Sequence, residues 1–290
     1  MEKLTKKLKD NIEGVKSVLS AKDILVYEFL TGDGTECAIV YTDGMVDKAL
    51  LGDLAARPLS KLTPENKEKG FTLEEVKQTL LFPELKEETQ LQNIFAEVLD
   101  GNSLLLVDGL ETGLIVGAKL LPTRAVMEPP TDIAVKGPRE GFIEDIKTNM
   151  ALLRKRLKTP DLKFELQKAG KRSQTNIAIC YLDGICDEKV KKEVAALCGE
   201  IDIDCIPDSS YVAAFIAPRK HSIFHEVGTT EKPDILAAKM AEGRVGILVD
   251  GSPIALTVPF ILTEDFQSSE DYFVSPFMAT IFRAIRFLAI

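Results

Sequence analysis

Short runs of β-branched and aromatic residues alternate along the chain with longer segments whose apolar residues recur at helical spacing. Residues 24–29 and 37–41 are such short runs, and they flank the turn Gly32-Asp33-Gly34, which is typical of paired strands. Further on, the apolar stripe within residues 91–99 predicts an amphipathic helix that ends before Asp100-Gly101. Strand pairs that alternate with helices predict the α/β class, with mixed sheets covered by helices on one or both faces.

The same arrangement occurs twice along the chain. Residues 38–47 read AIVYTDGMVD and residues 178–187 read AICYLDGICD, an offset of 140 residues (178 − 38). Residues 105–109 read LLVDG and residues 247–251 read ILVDG, at the nearly equal offset of 142 (247 − 105). Because two similar blocks recur in the same order, the sequence predicts a duplicated unit, that is, two similar α/β subdomains.

Residues that break helices and strands separate the two copies. Two proline-containing stretches at residues 128–130 and 137–138 cannot continue a helix or a central strand, and an amphipathic helix is predicted over residues 142–157. This join is interpreted as a hinge or linker, with the candidate residues Glu128, Pro129, Pro130, Gly137, Pro138, Arg139 and Glu140. The predicted order is an N-terminal helical segment (1–23), a first α/β subdomain (24–127), the linker and connecting helix (128–160), a second α/β subdomain (161–265) and a C-terminal segment (266–290).

The C-terminal segment is strongly apolar. Residues 273–290 read FVSPFMATIFRAIRFLAI, in which Ser275, Thr280, Arg283 and Arg286 are the only polar residues. One interpretation is an amphipathic helix packed on the core. The other is a segment that leads to the membrane, with its two arginines at the cytoplasmic interface, where positive residues are favoured.

Composition narrows the class of protein. Thirty-six basic residues against 45 acidic ones give a net charge of −9, which argues against a nucleic-acid partner because phosphate binding needs a dense field of Lys and Arg. The five cysteines include no C-x-x-C pair, so they predict reduced thiols rather than a disulfide framework or a zinc ribbon.

Motifs that would indicate catalysis or metal binding are few. His221 and His225 have the i, i+4 spacing of a zinc-binding pair, but no third ligand is spaced nearby. Four Asp-Gly turns recur with the duplication and are interpreted as tight turns rather than catalytic carboxylates: Asp43, Asp108, Asp183 and Asp250. The motifs therefore predict no metal site and no cofactor, and they count against an enzyme.

Four blocks of the sequence resemble the A subunits of bacterial spore germinant receptors. They are residues 128–165, which begin EPPTDIAVKGPREGF, residues 201–212 (IDIDCIPDSSYV), residues 229–260, which include MAEGRVGILVDGSPIALTVPF, and residues 266–273 (FQSSEDYF). The resemblance implies the soluble domain of a nutrient receptor subunit in the inner membrane of dormant spores. It also implies a non-enzymatic role and other receptor subunits as partners. The reduced cysteines, together with Arg283 and Arg286 at the membrane edge, predict a location on the cytoplasmic (core) side of that membrane.

Two mechanisms remain open at this point, and a nucleotide- or phosphate-processing α/β enzyme is a distant third. In one, the domain binds a small nutrient between its lobes and transmits the closure through residues 266–273. In the other, it is an assembly collar that associates with itself or with other subunits. The candidate interface or ligand-contact residues are Asn149, Arg154, Arg156, Asp208, Tyr211, Gln267, Glu270 and Asp271.

Overall fold

The computed structural model describes residues 3–65, 70–120, 138–217, 226–261, 264 and 275–289. The chain divides into two compact units. Lobe 1 comprises Met1–Pro122 with Lys158–Pro160, and lobe 2 comprises Thr123–Leu157 with Asp161–Ile290.

Lobe 1 begins with a helix and a strand pair, continues through a helical segment and a short edge strand, and ends with a helix and a second strand pair. Its elements are α1 (Leu8–Val18), β1 (Ile24–Leu30), β2 (Glu36–Thr42), α2 (Lys48–Leu51), a π-helical turn (Gly52–Ala56), α3 (Arg57–Leu59), α4 (Leu73–Thr79), β3 (Leu85–Glu88), α5 (Leu91–Leu99), β4 (Ser103–Val107) and β5 (Gly113–Val116).

Lobe 2 repeats this order and adds a helix at its end. Its elements are α6 (Ile146–Arg156), β6 (Leu162–Ala169), β7 (Thr175–Leu182), α7 (Glu188–Gly199), α8 (Ser209–Ile216), β8 (Gly228–Thr230), α9 (Pro233–Ala241), β9 (Val245–Val249), β10 (Ala255–Val258) and α10 (Pro276–Ala289). Pro233 occupies the first turn of α9, where its missing N–H is not needed.

In the described residues each lobe has one five-stranded sheet, and the two sheets have the same strand order. The order is β1-β2-β4-β5-β3 in lobe 1 and β6-β7-β9-β10-β8 in lobe 2. The predicted fold class, two similar α/β subdomains, is confirmed.

The expected mixture of parallel and antiparallel strand pairs is corrected by the structure, because every described pair in both sheets is antiparallel. The physical reason lies in the last three strands of each repeat. β3 and β4 run in the same direction and are joined by α5, as strand–helix–strand order predicts. However, β5 lies between them in the sheet and pairs antiparallel with both.

Helices cover both faces of each sheet. In lobe 1, Ala38 and Val40 of β2 pack against α1 and α5, whereas Cys37 and Ile39 of the same strand pack against the helical segment and α4. Lobe 2 has the same alternation, with α6 and α9 on one face of β7 and with α7 and α8 on the other. Alternate residues of a strand point to opposite faces, so a sheet buried on both faces needs continuous apolar runs.

The first helix of each lobe is part of the duplication. α1 and α6 precede the first strand pair of their lobes and pack on equivalent faces of the two sheets. Leu8 and Ile146, the first residues of the two helices, are 138 residues apart (146 − 8). The structural repeat in lobe 1 therefore runs from α1 to β5.

The described part of the chain includes no helix both long enough and apolar enough to cross a membrane. Helix α10 has 14 residues, and several of its large apolar side chains are exposed, among them Phe277 at 74% and Leu288 at 83%.

Candidate functional site

Two of the four Asp-Gly turns hold the first helix of their lobe. Asp108 Oδ1 accepts a hydrogen bond from the Leu8 backbone N–H at 2.9 Å, and Asp250 Oδ1 accepts one from Ile146 N–H at 3.4 Å. Gly109 in the first of these turns has a φ of +89°, a conformation that glycine adopts without strain. These carboxylates satisfy free N–H groups at helix starts, which accounts for their place in the repeat without catalysis.

Asn149, a candidate contact residue, is a structural clamp that also exists in lobe 1. Its side chain is buried; Oδ1 accepts from Ile143 N–H at 2.8 Å and Nδ2 donates to Ile143 O at 2.5 Å. Asn11 makes the same two bonds with Thr5, at 2.8 and 2.7 Å. Both amides fix the chain that enters the first helix of a lobe.

Arg154 and Arg156, two further candidates, have different environments. Arg154 is fully buried; it donates to Leu162 O at 3.1 Å and its guanidinium lies 5.2 Å from the centre of the Phe164 ring. Arg156 is partly exposed and pairs with Glu140 at 2.8 Å, a carboxylate that Lys155 also binds at 2.7 Å. The guanidinium of Arg154 is therefore not part of the surface of lobe 2.

The loop before α8 provides two more of the candidates. Asp208 caps α8 by accepting from Ser210 N–H at 2.9 Å, and Tyr211 in the first turn is 48% exposed.

Of the hinge candidates, Pro138, Arg139 and Glu140 are described, and Glu140 is bound to the end of α6. Glu128, Pro129, Pro130, Gly137, Gln267, Glu270 and Asp271 lie outside the described residues, as do His221 and His225. The hinge and the contact surface stay predictions.

Lobe 1 contains a cleft of about 520 Å³ that the sequence analysis did not identify. It lies between the strand pair β1–β2 and the helical segment α2–α3, and we call it the lobe 1 cleft. Tyr27, Phe29 and Tyr41 form its aromatic wall, and the rings of Tyr27 and Phe29 stack with their centres 5.7 Å apart. Tyr27 is 52% exposed.

Two cations stand on the helical side of the lobe 1 cleft. Lys48 Nζ lies 5.8 Å from the centre of the Tyr41 ring and 2.6 Å from Asp43 Oδ1, a hydrogen bond that raises the pKa of the lysine. Arg57 Nη2 lies 3.0 Å from Asp53 Oδ1, and both of these side chains are more than half exposed. Exposed pairs of this kind contribute little stability and exchange readily for other partners.

The equivalent place in lobe 2 is filled by side chains. Tyr181, the counterpart of Tyr41, donates its hydroxyl to Glu165 at 2.7 Å. Lys191 of α7 lies with Nζ 4.6 Å from the centre of the Tyr181 ring and 2.6 Å from Glu188. Burial and the bond to Glu165 both raise the pKa of Tyr181.

Three charged side chains of lobe 2 form a cluster: Lys239 on α9, Arg244 just before β9, and Glu264 in the chain after β10. Glu264 binds Arg244 at 2.5 Å and Lys239 at 2.9 Å, and it also accepts from Ile261 N–H at 2.8 Å. All three side chains are less than a fifth exposed. Burial alone would raise the pKa of Glu264, but the N–H donor and the two cations hold it below the usual glutamate value. We call these residues the Glu264 cluster.

No group of three or more His, Cys, Asp or Glu side chains in the described ranges is arranged to hold a metal ion. The cysteines are free thiols, of which Cys37, Cys180 and Cys198 are buried, Cys186 is half-buried and Cys205 is exposed. Burial raises the pKa of Cys37 to about 12 and that of Cys198 to about 11, so both are neutral at pH 7.

Comparison with known proteins defines the class to which this fold belongs. The chain is similar in structure to the crystal structure of the N-terminal domain of the A subunit of the Bacillus megaterium spore germinant receptor GerK3, with a TM-score of 0.68 and 29% identity. The match covers 90% of this chain and 97% of that domain. The fold is therefore that of a germinant receptor A-subunit N-terminal domain.

Sequence comparison identifies the family. The model described as Bacillus/Clostridium GerA spore germination protein matches residues 10–290. Spore germination protein KA of Bacillus subtilis (strain 168) is 35% identical over 97% of this chain, and spore germination protein B1 of the same organism is 33% identical over 98%. These matches cover 52% and 59% of the two relatives, so the chain spans about half of their length. The chain belongs to the GerA family of spore germination proteins.

Proposed function

We propose that this chain is the domain of a germinant receptor subunit that takes part in sensing a nutrient, in transmitting the signal that triggers germination, or in both. The observation that carries the proposal is the structural likeness to the GerK3 A-subunit domain over nearly all of both chains. The whole subunit would work with other receptor subunits in the spore inner membrane, with this domain on the core side, and without catalysis of its own.

The Glu264 cluster offers a physical route for the signal. Glu264 lies in the chain between β10 and α10, and its cations come from α9 and from the residue just before β9. A carboxylate held by two cations fixes the chain at this point, so a displacement within lobe 2 would be carried into the following segment. Residues 266–273, the predicted transmission segment, lie outside the described residues.

A Glu264→Gln substitution in the full-length subunit tests this route, with Glu242→Gln as the matched control. Glu242 also pairs with Arg244, at 3.2 Å, but its side chain is 59% exposed. We expect Glu264→Gln to slow nutrient-triggered germination of the spores at an unchanged amount of subunit in the inner membrane, and Glu242→Gln to leave it unchanged. Normal germination of the Glu264→Gln spores would contradict the proposed route.

The same pair of variants has a readout on the 290-residue chain. Loss of the charge that pairs with Arg244 and Lys239 and accepts from Ile261 N–H should cost Glu264→Gln about 2 kcal/mol in the free energy of unfolding, and Glu242→Gln should stay within about 0.5 kcal/mol. Because the folded pKa of Glu264 is lowered, its stabilisation is complete above the ordinary glutamate pKa of about 4.3 and is lost as the pH falls below it. Wild type and Glu264→Gln should therefore converge in stability in acid.

A second candidate function, the assembly collar, is favoured by an exposed aromatic pair on α8. Tyr211 and Phe215 are four residues apart, one helical turn, and are 48% and 41% exposed. Aromatic side chains are enriched at protein–protein interfaces. If Glu264→Gln removes the subunit from the inner membrane rather than slowing germination at a normal subunit level, assembly replaces transmission as the function.

A further inference from the structure

We propose that the lobe 1 cleft binds a small organic carboxylate with a flat apolar body. The cleft is formed by lobe 1 residues alone, and the inference does not depend on the Glu264 cluster or on signal transmission. Its volume of about 520 Å³ lies within the range of roughly 300–1,000 Å³ that is typical of small-molecule sites.

The duplication shows why the cleft is open. The helix caps Asp47 and Asp187 are related by the offset of 140 residues found in the sequence (187 − 47). At this offset Leu51, which lines the cleft, corresponds to Lys191, the residue whose Nζ lies over the Tyr181 ring in lobe 2.

Gly52, next to Leu51, leaves further space in the cleft. A Cβ atom built on Gly52 would meet no atom within 4 Å, and its backbone is ordinary right-handed helix. Glycine is therefore not required there by the backbone or by close packing. The π-helical turn that begins at Gly52 supports the same conclusion, because single π turns inside helices occur frequently at functional sites.

The aromatic wall selects a flat apolar body. Tyr27 and Phe29, whose rings stack on each other, line the cleft on the strand side, and Ala49 and Ala56 line it on the helical side with small side chains. A planar apolar group can stack on such rings, a contact worth more than its buried area alone.

The charged side chains of the lobe 1 cleft favour an anionic ligand. Of the charged side chains that line the cleft, Lys48 and Arg57 are positive and Asp53 is negative, and Lys48 is held by Asp43 beside the cleft. The cation that can change its partner is therefore Arg57. The guanidinium of Arg57 can exchange its exposed pair with Asp53 for a bidentate carboxylate, the geometry that arginine fits best. A cationic ligand is disfavoured, because the Tyr41 ring already has the ammonium group of Lys48 over it.

The first test compares three compounds of the same shape on the 290-residue chain by calorimetric titration. They are 3-phenylpropionate, the neutral 3-phenylpropan-1-ol and the cationic 3-phenylpropylamine. We expect the carboxylate to bind with a Kd about tenfold lower than that of the alcohol, with the amine weakest, because one charged hydrogen bond is worth about this factor. Equal binding of all three, or of carboxylate and alcohol, would overturn the proposal.

The second test locates the site. Gly52→Lys places a long side chain on the wall of the cleft and should abolish binding of 3-phenylpropionate, whereas Gly52→Ala should retain it. Tyr27→Ser and Arg57→Gln change exposed side chains and should each raise the Kd about tenfold at an unchanged melting temperature. Lys192→Gln on α7 is the control and should bind as wild type does.

Each outcome of the second test is decisive. Wild-type affinity in Gly52→Lys, with folding retained, would overturn the assignment to this cleft. If Gly52→Lys fails to fold, Tyr27→Ser and Arg57→Gln decide the question, and wild-type affinity in both would overturn it as well.

Discussion

The two lobes share a topology, yet they differ at the place where the first strand pair meets the helical segment that follows it. In lobe 1 this place is an open cleft beside Tyr41; in lobe 2 Lys191 and Glu165 enclose the equivalent Tyr181. The clamps made by Asn11 and Asn149, by contrast, are the same in both lobes. The contacts that position the first helix are thus the same in both lobes. The surface between the first strand pair and the helical segment that follows it differs between them.

The first helices show a second difference, inside the core. Arg154 of α6 is buried against Phe164, whereas its counterpart in α1, 138 residues earlier (154 − 138), is the exposed Lys16. The two basic residues therefore occupy the same place in the repeat but have unequal structural roles.

The largest expected effect on stability is the difference between substitutions at Arg154 and at Lys16. Arg154→Ala should lower the free energy of unfolding by about 3 kcal/mol, because it leaves Leu162 O without this donor and a void over Phe164. Lys16→Ala should change it by no more than about 0.5 kcal/mol. Urea unfolding of the 290-residue chain measures both, with amide hydrogen exchange reporting on each lobe. Equal effects would show that burial of Arg154 contributes no stability.

The next largest effect on stability is expected at Asn11 and Asn149, and it should be equal in the two lobes. Asn11→Ala and Asn149→Ala each leave a backbone N–H and C=O without their partner at the entry to a helix, at a cost of about 2 kcal/mol. Hydrogen exchange should show each loss in the lobe that carries the substitution. A clear difference between the two variants would contradict the equivalence of the clamps.

The smallest expected effect on stability is the difference between substitutions at Tyr181 and at Tyr41. Tyr181→Phe loses the bond to Glu165 and should cost about 1 kcal/mol, whereas Tyr41→Phe, which faces the open cleft, should cost less than about 0.5 kcal/mol. The folded pKa of Tyr181 is raised, so its contribution is complete below the ordinary tyrosine pKa of about 10 and is lost as the pH rises above it. The gap between wild type and Tyr181→Phe should therefore narrow in alkaline buffer; a constant gap would contradict this assignment.

Much of the fold was predictable because it depends on local patterns. The runs at residues 24–29 and 37–41 became the strand pair β1–β2, and the stripe in residues 91–99 became α5. The short edge strands β3 and β8 were missed, since four and three residues respectively carry too little alternation to be recognised. The repeat of the first helix was also missed, because α1 and α6 have few residues in common apart from the clamping asparagines.

The candidate sites were less predictable. Asn149 and Arg154 are polar residues on an amphipathic helix, and sequence alone does not distinguish an exposed polar side chain from one that is buried with its partners. Gly52 was detectable in principle as a glycine inside a predicted helix, where glycine is disfavoured. Its place on the wall of the lobe 1 cleft depended on tertiary packing.

The sequence by itself determined that the chain is a duplicated α/β protein, because apolar periodicity and repeated turns are local properties of residue order. The family was indicated separately, by the resemblance of four sequence blocks to germinant receptor A subunits. The tertiary structure alone decided that the described strands all pair antiparallel, that Arg154 is buried, and that lobe 1 has a cleft beside Tyr41 where lobe 2 has Lys191 and Glu165 beside Tyr181. These features depend on which elements become neighbours in space. That in turn depends on contacts between residues that lie far apart in the sequence.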